Sequence, residues 1–285
     1  MKTTIILSSS LDGDAGDTAR NCAMVLGPAR ASTFTIETEA LAPFDFAVSC
    51  IAMDGSFVAD EVFQFAEREA GWLQDRLVGI ICCSADENEG IAMIDSFSRA
   101  CSANNPITQV VSLPPHLDDV ISFAMQVKNH VKQQGILAPV ELVKQELDAF
   151  LKSHNTCTLC TAARGMVRGT PIEYFMNGSN MYFLSEGGEK FANILLNPVV
   201  SISIYDSYQG MGKLAGVQIA GTASIVSPTS EEYNAVISAR GLTNRLAGLP
   251  FVMNLIRVTL GHAEFLYSKF TRMAFDAWQT YDFNA

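Results

Sequence analysis

The sequence predicts two folded halves of different class, an α/β half over residues 1–137 and a mainly β half over residues 138–285. In the first half, apolar runs typical of strands alternate with helical stretches. That order is typical of βαβ units, whose parallel sheet is covered on both faces. In the second half, apolar residues recur at every second position and the turns are rich in Gly and Asn, which predicts antiparallel strands.

Five strands in the first half, each followed by a helix or a turn, predict a doubly wound domain. In such domains the ligand lies beyond the carboxyl ends of the strands. The strands are predicted at residues 3–8, 32–37, 46–51, 77–83 and 108–112. The helices are predicted at residues 16–26, 58–69, 89–102 and 117–133.

The two halves join where Gly135 and Pro139 give a stop-and-turn signal after the last helix of the first half. Beyond the join and the helix that follows it, the period of the apolar residues changes to two. Helices are predicted at residues 140–153, 190–196 and 230–239, and strands at residues 159–162, 172–176, 181–184, 199–204 and 216–223.

The net charge of −11 is concentrated in the first half. Residues 1–137 carry 8 Lys/Arg against 18 Asp/Glu, a net charge of −10, whereas residues 138–285 are nearly neutral. Such an acidic half argues against a nucleic-acid partner, because phosphates would be repelled. Two interpretations stay open: a solubilising surface, or a face that docks a basic redox partner protein.

The composition favours a cytoplasmic protein without a membrane partner. No apolar run reaches the roughly 18 residues of a transmembrane helix. The apolar run at residues 5–7 is too short for a signal peptide and predicts a first buried strand. Seven cysteines, an odd number without a small disulfide framework, indicate reduced thiols.

The loop after the first strand is rich in hydroxyls and glycines and ends in Gly16-Asp17-Thr18. With the strand–helix order, it resembles the flavodoxin family, in which backbone N–H groups at a helix N-terminus hold the FMN phosphate. The resemblance implies a candidate second phosphate loop at Ser8, Ser10, Gly16 and Thr18. The carboxylates of the same loop would oppose a phosphate, and they favour helix capping or the binding of a cation or amine instead.

Several motifs of the second half occur in an order that resembles the FMN-binding split barrel of the pyridoxamine 5′-phosphate oxidase-like superfamily. The first strand is followed by a predicted turn of the form Gly-x-Pro, and a hairpin turn leads into a loop before a helix. The motifs are Leu159-Cys160-Thr161-Ala162, Gly169-Thr170-Pro171, Asn177-Gly178-Ser179-Asn180 and Ser185-Glu186-Gly187-Gly188-Glu189-Lys190. The resemblance implies an α/β plus β-barrel fold, with a flavodoxin-like sheet followed by a split barrel.

The resemblance also implies that FMN is the cofactor and that the second half holds it. Lys190 and Ser185 would contact the phosphate, with Arg164 and Arg168 adding positive charge. Polar side chains at Thr170 and Gln218 would contact other parts of the cofactor. Glu189 departs from the family pattern, which has an Arg before the Lys.

The function that follows is that of an FMN-dependent oxidoreductase or electron carrier, a homodimer with FMN at the interface. It would act on a small-molecule substrate or a redox partner protein. The C-terminal substrate motif of true pyridoxamine 5′-phosphate oxidase is not found, and no catalytic residue is identified. Two alternatives stay open: a haem-binding or haem-degrading protein with His262 as ligand, and a non-enzymatic flavin-binding or regulatory module.

The pair Cys157 and Cys160 has the spacing of a redox or metal motif. In a strand, however, side chains three residues apart point to opposite faces, and no second pair follows at zinc spacing. No metal site is therefore predicted there.

Overall fold

The computed structural model describes residues 2–54 and 59–284. The chain divides into two compact units, Met1–Gly135 and Ile136–Ala285. The first residue of the helix predicted at residues 58–69 lies outside the described part of the chain. None of the helices in the described ranges has the length and apolar character needed to cross a bilayer.

The first unit contains a five-stranded parallel sheet in the order β2-β1-β3-β4-β5. This is the flavodoxin-like order of doubly wound folds, so the predicted fold class of the first half is confirmed. The central strands β3 and β4 are buried at every position because helices cover both faces. The strands are β1 Thr4–Ser8, β2 Ala29–Thr33, β3 Phe46–Ala52, β4 Leu77–Cys83 and β5 Ile107–Val111.

Helices on the two faces of this sheet enclose two separate hydrophobic cores. One core packs α1 and α5 against the sheet, and the other packs α2 and α4. The Asp86 carboxylate begins α4 by accepting hydrogen bonds from Asn88 N at 2.8 Å and Glu89 N at 3.1 Å. The helices are α1 Gly13–Leu26, α2 Ala59–Arg68, α3 Ala70–Leu73, α4 Glu87–Ala100 and α5 Leu117–Gln133.

The strand predicted at residues 32–37 was misplaced, since β2 spans Ala29–Thr33. The apolar alternation that suggested a later strand comes from Phe34 and Ile36, which pack into the core after the strand has ended. Ile36 N donates to Thr33 O at 3.2 Å, a turn that leads the chain away from the sheet. Phe34 and Ile36, the two side chains of this loop that pack into the core, are spaced two residues apart, as apolar residues are in a strand, and this spacing led to the misplaced prediction.

The second unit contains a curled antiparallel sheet in the order β7-β6-β10-β11-β12-β9-β8, with β13 paired to β12. This half-barrel confirms the predicted split-barrel class. Its inner face holds the largest core of the unit. The strands are β6 Thr156–Ala163, β7 Met166–Glu173, β8 Phe175–Asn177, β9 Asn180–Ser185, β10 Val199–Tyr205, β11 Ala215–Val226, β12 Asn254–Tyr267 and β13 Trp278–Asp282.

Four helices of the described chain accompany this sheet. Helix α6 packs Val143, Leu147, Phe150 and Leu151 into the barrel core. Helix α8 begins at Ser230, whose hydroxyl accepts from Tyr233 N at 3.2 Å. The helices are α6 Val140–Ser153, α7 Glu189–Leu196, α8 Glu231–Ala239 and α9 Thr243–Ala247.

The turn predicted at Gly169-Thr170-Pro171 was wrong, because these residues lie inside β7. The hairpin turn between β6 and β7 is formed instead by Arg164 and Gly165, which have positive φ angles of 50° and 79°. Pro171 fits within β7 because β7 ends the sheet path and one side of its backbone needs no strand partner. The predicted hairpin at residues 177–180 is present between β8 and β9.

Candidate functional site

The loop between β9 and α7 brings Ser185 and Lys190 together. Ser185 ends β9, and its hydroxyl donates to Gly187 O at 3.2 Å. Gly187 and Gly188 have φ angles of 150° and 108°, a backbone conformation that side-chain-bearing residues rarely adopt. The two glycines let the chain turn back so that Lys190, in the first turn of α7, points to the loop.

Lys190 is a buried ammonium group, with only 8% of its surface exposed. Its Nζ donates to Gly187 O at 2.5 Å and lies 5.3 Å from the centroid of the Phe191 ring. Desolvation lowers the pKa of Lys190, with a further lowering from Arg168, whereas Glu186 acts in the opposite direction. The site therefore holds a cation in partly apolar surroundings, where a bound anion would strongly stabilise it.

Arg168 lies at the same loop, because its guanidinium forms an ion pair with Glu189. Arg164 lies in the β6–β7 turn and is exposed. Thr170 is two positions along β7 from Arg168, and its Oγ1 is buried without a hydrogen-bond partner among the described atoms. The structure therefore gathers Ser185, Lys190 and Arg168 and leaves Arg164 at the turn.

Two asparagines, which carry no recognisable motif, hold helix α7 against β6 by hydrogen bonds. Asn193 Nδ2 donates to Thr161 O at 3.2 Å and to Thr161 Oγ1 at 3.1 Å, and Asn197 Nδ2 donates to Ala162 O at 2.9 Å. These bonds hold the middle and the C-terminal end of α7 against β6, and the helix carries Lys190 one turn before Asn193. No local sequence pattern marked these two asparagines.

Gln218 lies elsewhere, on the outer face of the sheet, in register with Ser203 of β10 and Glu264 of β12. It lines a cavity of about 350 Å³, which no residue of the 185–190 loop lines. Three aromatic residues line this cavity, together with several polar and aliphatic ones. The lining includes Tyr205, Tyr208, Trp278, Lys213, Ser203 and Glu264.

His262 also lies on the outer face and is exposed. The register between β11 and β12 shifts at Ala220 and Gly221, where β12 inserts Gly261 as an extra residue. A Cβ at residue 261 would come within 3.2 Å of Ala220 O. The insertion reverses which residues of β12 point outward, so that His262 faces Asp282 of β13 and Ala220 of β11.

In the first unit, the side chains of the candidate second phosphate loop have partners within the unit. Ser8 Oγ donates to Ser10 O at 2.6 Å, and Ser10 Oγ accepts from Asp12 N at 3.0 Å. Thr18 is buried, with Oγ1 at 3.6 Å from Cys83 Sγ. The loop also folds onto α1, because a Cβ at Gly16 would lie 2.1 Å from Leu11 O. The hydroxyls of Ser8, Ser10 and Thr18 therefore all have partners within the first unit.

The cysteines are free thiols, and six of the seven are buried. Cys157 points into the barrel core, whereas Cys160, three residues along β6, is partly exposed on the other face. Burial raises the pKa of Cys157 to about 12. Its thiol therefore stays protonated near neutral pH and is a poor nucleophile or metal ligand. Within residues 2–54 and 59–284, no group of three or more His, Cys, Asp or Glu side chains could hold a metal ion.

A known protein family matches part of the second unit. Residues 143–248 match the model of the pyridoxamine 5′-phosphate oxidase family. This segment contains β6 to β11, α7 and the 185–190 loop. No curated protein gives a significant match to the chain.

Solved structures similar to the chain include the haem storage protein HutZ from Vibrio cholerae, at 22% identity and TM-score 0.36, covering 41% of this chain and 88% of that one. An FAD-binding protein from Mesorhizobium loti matches at 18% identity and TM-score 0.35, covering 42% and 90%. Campylobacter jejuni ChuZ matches at 19% identity and TM-score 0.39, covering 53% and 63%.

The family match comes from the sequence, and the half-barrel topology comes from the strand order. The resemblance of the second half to the pyridoxamine 5′-phosphate oxidase-like superfamily is thereby confirmed over residues 143–248.

Proposed function

We propose that this protein is an FMN-dependent oxidoreductase or electron carrier that holds its flavin in the second unit. The observation that carries the proposal is the gathering of Lys190, Ser185 and Arg168 at the start of α7, inside the segment that matches the family. A phosphate at this loop would meet a buried ammonium, a hydroxyl and the free N–H groups of a helix N-terminus.

The residues present fit a phosphate in the second unit better than in the first. Lys190 has a backbone carbonyl as its hydrogen-bond partner and is buried at a cost that an anion would offset. Among the described residues, Arg168 has the exposed Glu189 as its one ion-pair partner, so a phosphate could replace that carboxylate. Thr170 Oγ1 is a buried hydroxyl without a hydrogen-bond partner in the part of the chain that the structure describes.

With its phosphate at the 185–190 loop of one copy, the flavin ring would lie at the homodimer interface in the outer-face cavity of the second copy, where Gln218 offers an amide and Tyr205, Tyr208 and Trp278 offer aromatic surface. Bound there, the flavin would supply the redox chemistry by accepting and releasing electrons. The protein would bind the phosphate, orient the ring and shape the space for a small-molecule substrate. A homodimer with FMN at its interface is part of the proposal.

The test is the flavin content of the purified full chain, measured after release of the cofactor. We expect about one FMN per chain, bound in the second unit. Lys190→Ala should abolish or strongly weaken FMN binding, whereas Lys144→Ala, which removes an exposed ammonium on α6, should leave it unchanged. About two FMN per chain would restore the loop of the first unit as a site.

If the protein binds no flavin after incubation with excess FMN, the proposal is wrong. The haem alternative predicts instead a haem absorption band that disappears in the His262→Ala variant. Flavin that binds but is reduced by no nicotinamide or protein donor would favour the non-enzymatic module.

A further inference from the structure

We propose that His154 is a positioning residue for the wall of the outer-face cavity and that it acts through Asp206. The inference deepens the proposed function and rests on it for the identity of the ligand, FMN. It concerns the loop between β10 and β11, whose conformation sets the shape of the cavity.

The wall of the cavity is formed in part by residues 206–208, 213 and 214 of the loop that spans residues 206–214. At its far end, this loop is held by Ser268, whose N donates to Leu214 O at 2.8 Å and whose Oγ donates to Met211 O at 3.3 Å. Between that anchor and Asp206, residues 207–209 are exposed and make no hydrogen bond to other described residues. Tyr208, which lines the cavity, is 72% exposed.

At its near end, the loop is held by Asp206. Its N donates to Ala215 O at 2.9 Å, which continues the pairing of β10 with β11. Its carboxylate lies 3.0 Å from Nε2 of His154, whose N–H donates to Oδ1. Of the described residues, His154 alone forms a hydrogen bond to the side chain of Asp206.

The imidazole of His154 is itself fixed in place. Its Nδ1 lies 3.0 Å from Ser153 Oγ and 2.9 Å from Phe150 O, and its ring packs on that of Phe150 with centroids 4.4 Å apart. Phe150 belongs to the barrel core through helix α6. His154 therefore links a helix that packs one face on the barrel core to an exposed loop.

Because the loop of residues 206–214 is held at both ends, Tyr208 can adopt few positions relative to a ligand in the cavity. When the His154 contact is removed, the near end keeps its backbone bond to Ala215 O but the Asp206 side chain is no longer held. The ligand must then order more of the loop on binding, and the apparent affinity falls with the fraction of competent conformations. A decrease of about tenfold in affinity is the expected size, because a few side chains and one short loop are involved.

The experiment measures the dissociation constant of FMN for the full chain by flavin fluorescence. We expect His154→Ala and Asp206→Ala each to weaken binding about tenfold. The double variant should be no weaker than either single variant, because both remove the same contact. His154→Gln, which keeps an N–H donor, should recover part of the affinity. His116→Ala, an exposed histidine in the first unit, is the matched control and should bind as the wild type does.

A second readout does not depend on FMN. In a Trp72→Phe background, Trp278 is the sole remaining tryptophan and reports on the cavity that it lines. His154→Ala should increase quenching of its fluorescence by acrylamide. Wild-type protein that binds no FMN, together with increased quenching in the variant, would overturn the proposed function and preserve the role of His154.

The inference itself would be overturned by either of two results. One is unchanged FMN affinity and unchanged quenching in His154→Ala. The other is a double variant whose loss equals the product of the two single losses, which would show that His154 and Asp206 act independently.

Discussion

Lys190 shows how one side chain couples the fold to the proposed site. The sequence placed it at the start of a helix, but its burial comes from the glycine turn of residues 187–188 and from the packing of α7 on β6. Desolvation is the main cause of its lowered pKa. The charge on Lys190 is therefore easier to remove than that on an exposed lysine.

If Lys190 holds the phosphate, FMN affinity should depend on pH in the alkaline range. The protonated ammonium binds the anion, so affinity is full below the lowered pKa of Lys190 and falls as pH rises through it. Lys190→Arg keeps its charge throughout and should flatten the profile. The measurement is the dissociation constant of FMN from about pH 7 to 10. Parallel profiles for the wild type and Lys190→Arg would assign the titration to another group.

Gly16 shows why the loop after β1 and helix α1 act as one element. An added methyl group at this position would overlap Leu11 O, a backbone atom that cannot move aside without unfolding the loop. We expect Gly16→Ala to lower the free energy of unfolding of the first unit by roughly 1–3 kcal/mol. Chemical denaturation followed by circular dichroism measures the change.

Gly71→Ala is the matched control for that variant, because Gly71 lies in α3 with open space around it. It should be neutral or stabilising by up to about 1 kcal/mol. Neither variant should change the amount of FMN bound by the second unit. Loss of flavin in Gly16→Ala alone would point to a ligand in the first unit.

For the molecule as a whole, exposed apolar side chains indicate where a second copy could bind. Val167 at the start of β7 and Val199 at the start of β10 are 81% and 62% exposed, on strands that both neighbour β6. Leu195 and Leu196, at the end of α7, are also exposed. Such apolar patches are uncommon on monomers and mark association surfaces.

We expect a homodimer of the 30.9 kDa chain in solution, measured by light scattering. The double variant Val167→Glu/Val199→Glu should be monomeric, because burying two carboxylates in an interface is costly. Met24→Glu, at an equally exposed methionine of α1, should remain dimeric. A wild-type monomer, or a dimer that persists in the double variant, would contradict this surface.

Much of the architecture follows from local sequence patterns. Alternating strands and helices predicted the parallel sheet, and the change to a period of two predicted the antiparallel half, since each depends only on which residues must be buried. The hairpin at residues 177–180 followed from its Asn-Gly pair. The family resemblance predicted Lys190 and Ser185 as phosphate ligands, and the structure places both side chains at one loop.

Other features depend on contacts between residues distant in the chain, which no local pattern contains. Gly169-Thr170-Pro171 looked like a turn, but pairing with β6 makes it part of an edge strand. Hydroxyls that looked available for a phosphate are bonded within the first unit, and a one-residue insertion turns His262 outward. The sequence by itself therefore established the class and order of the elements, because burial imposes a period on each. Tertiary structure alone established which polar groups face one another, because strand register and loop closure select their partners.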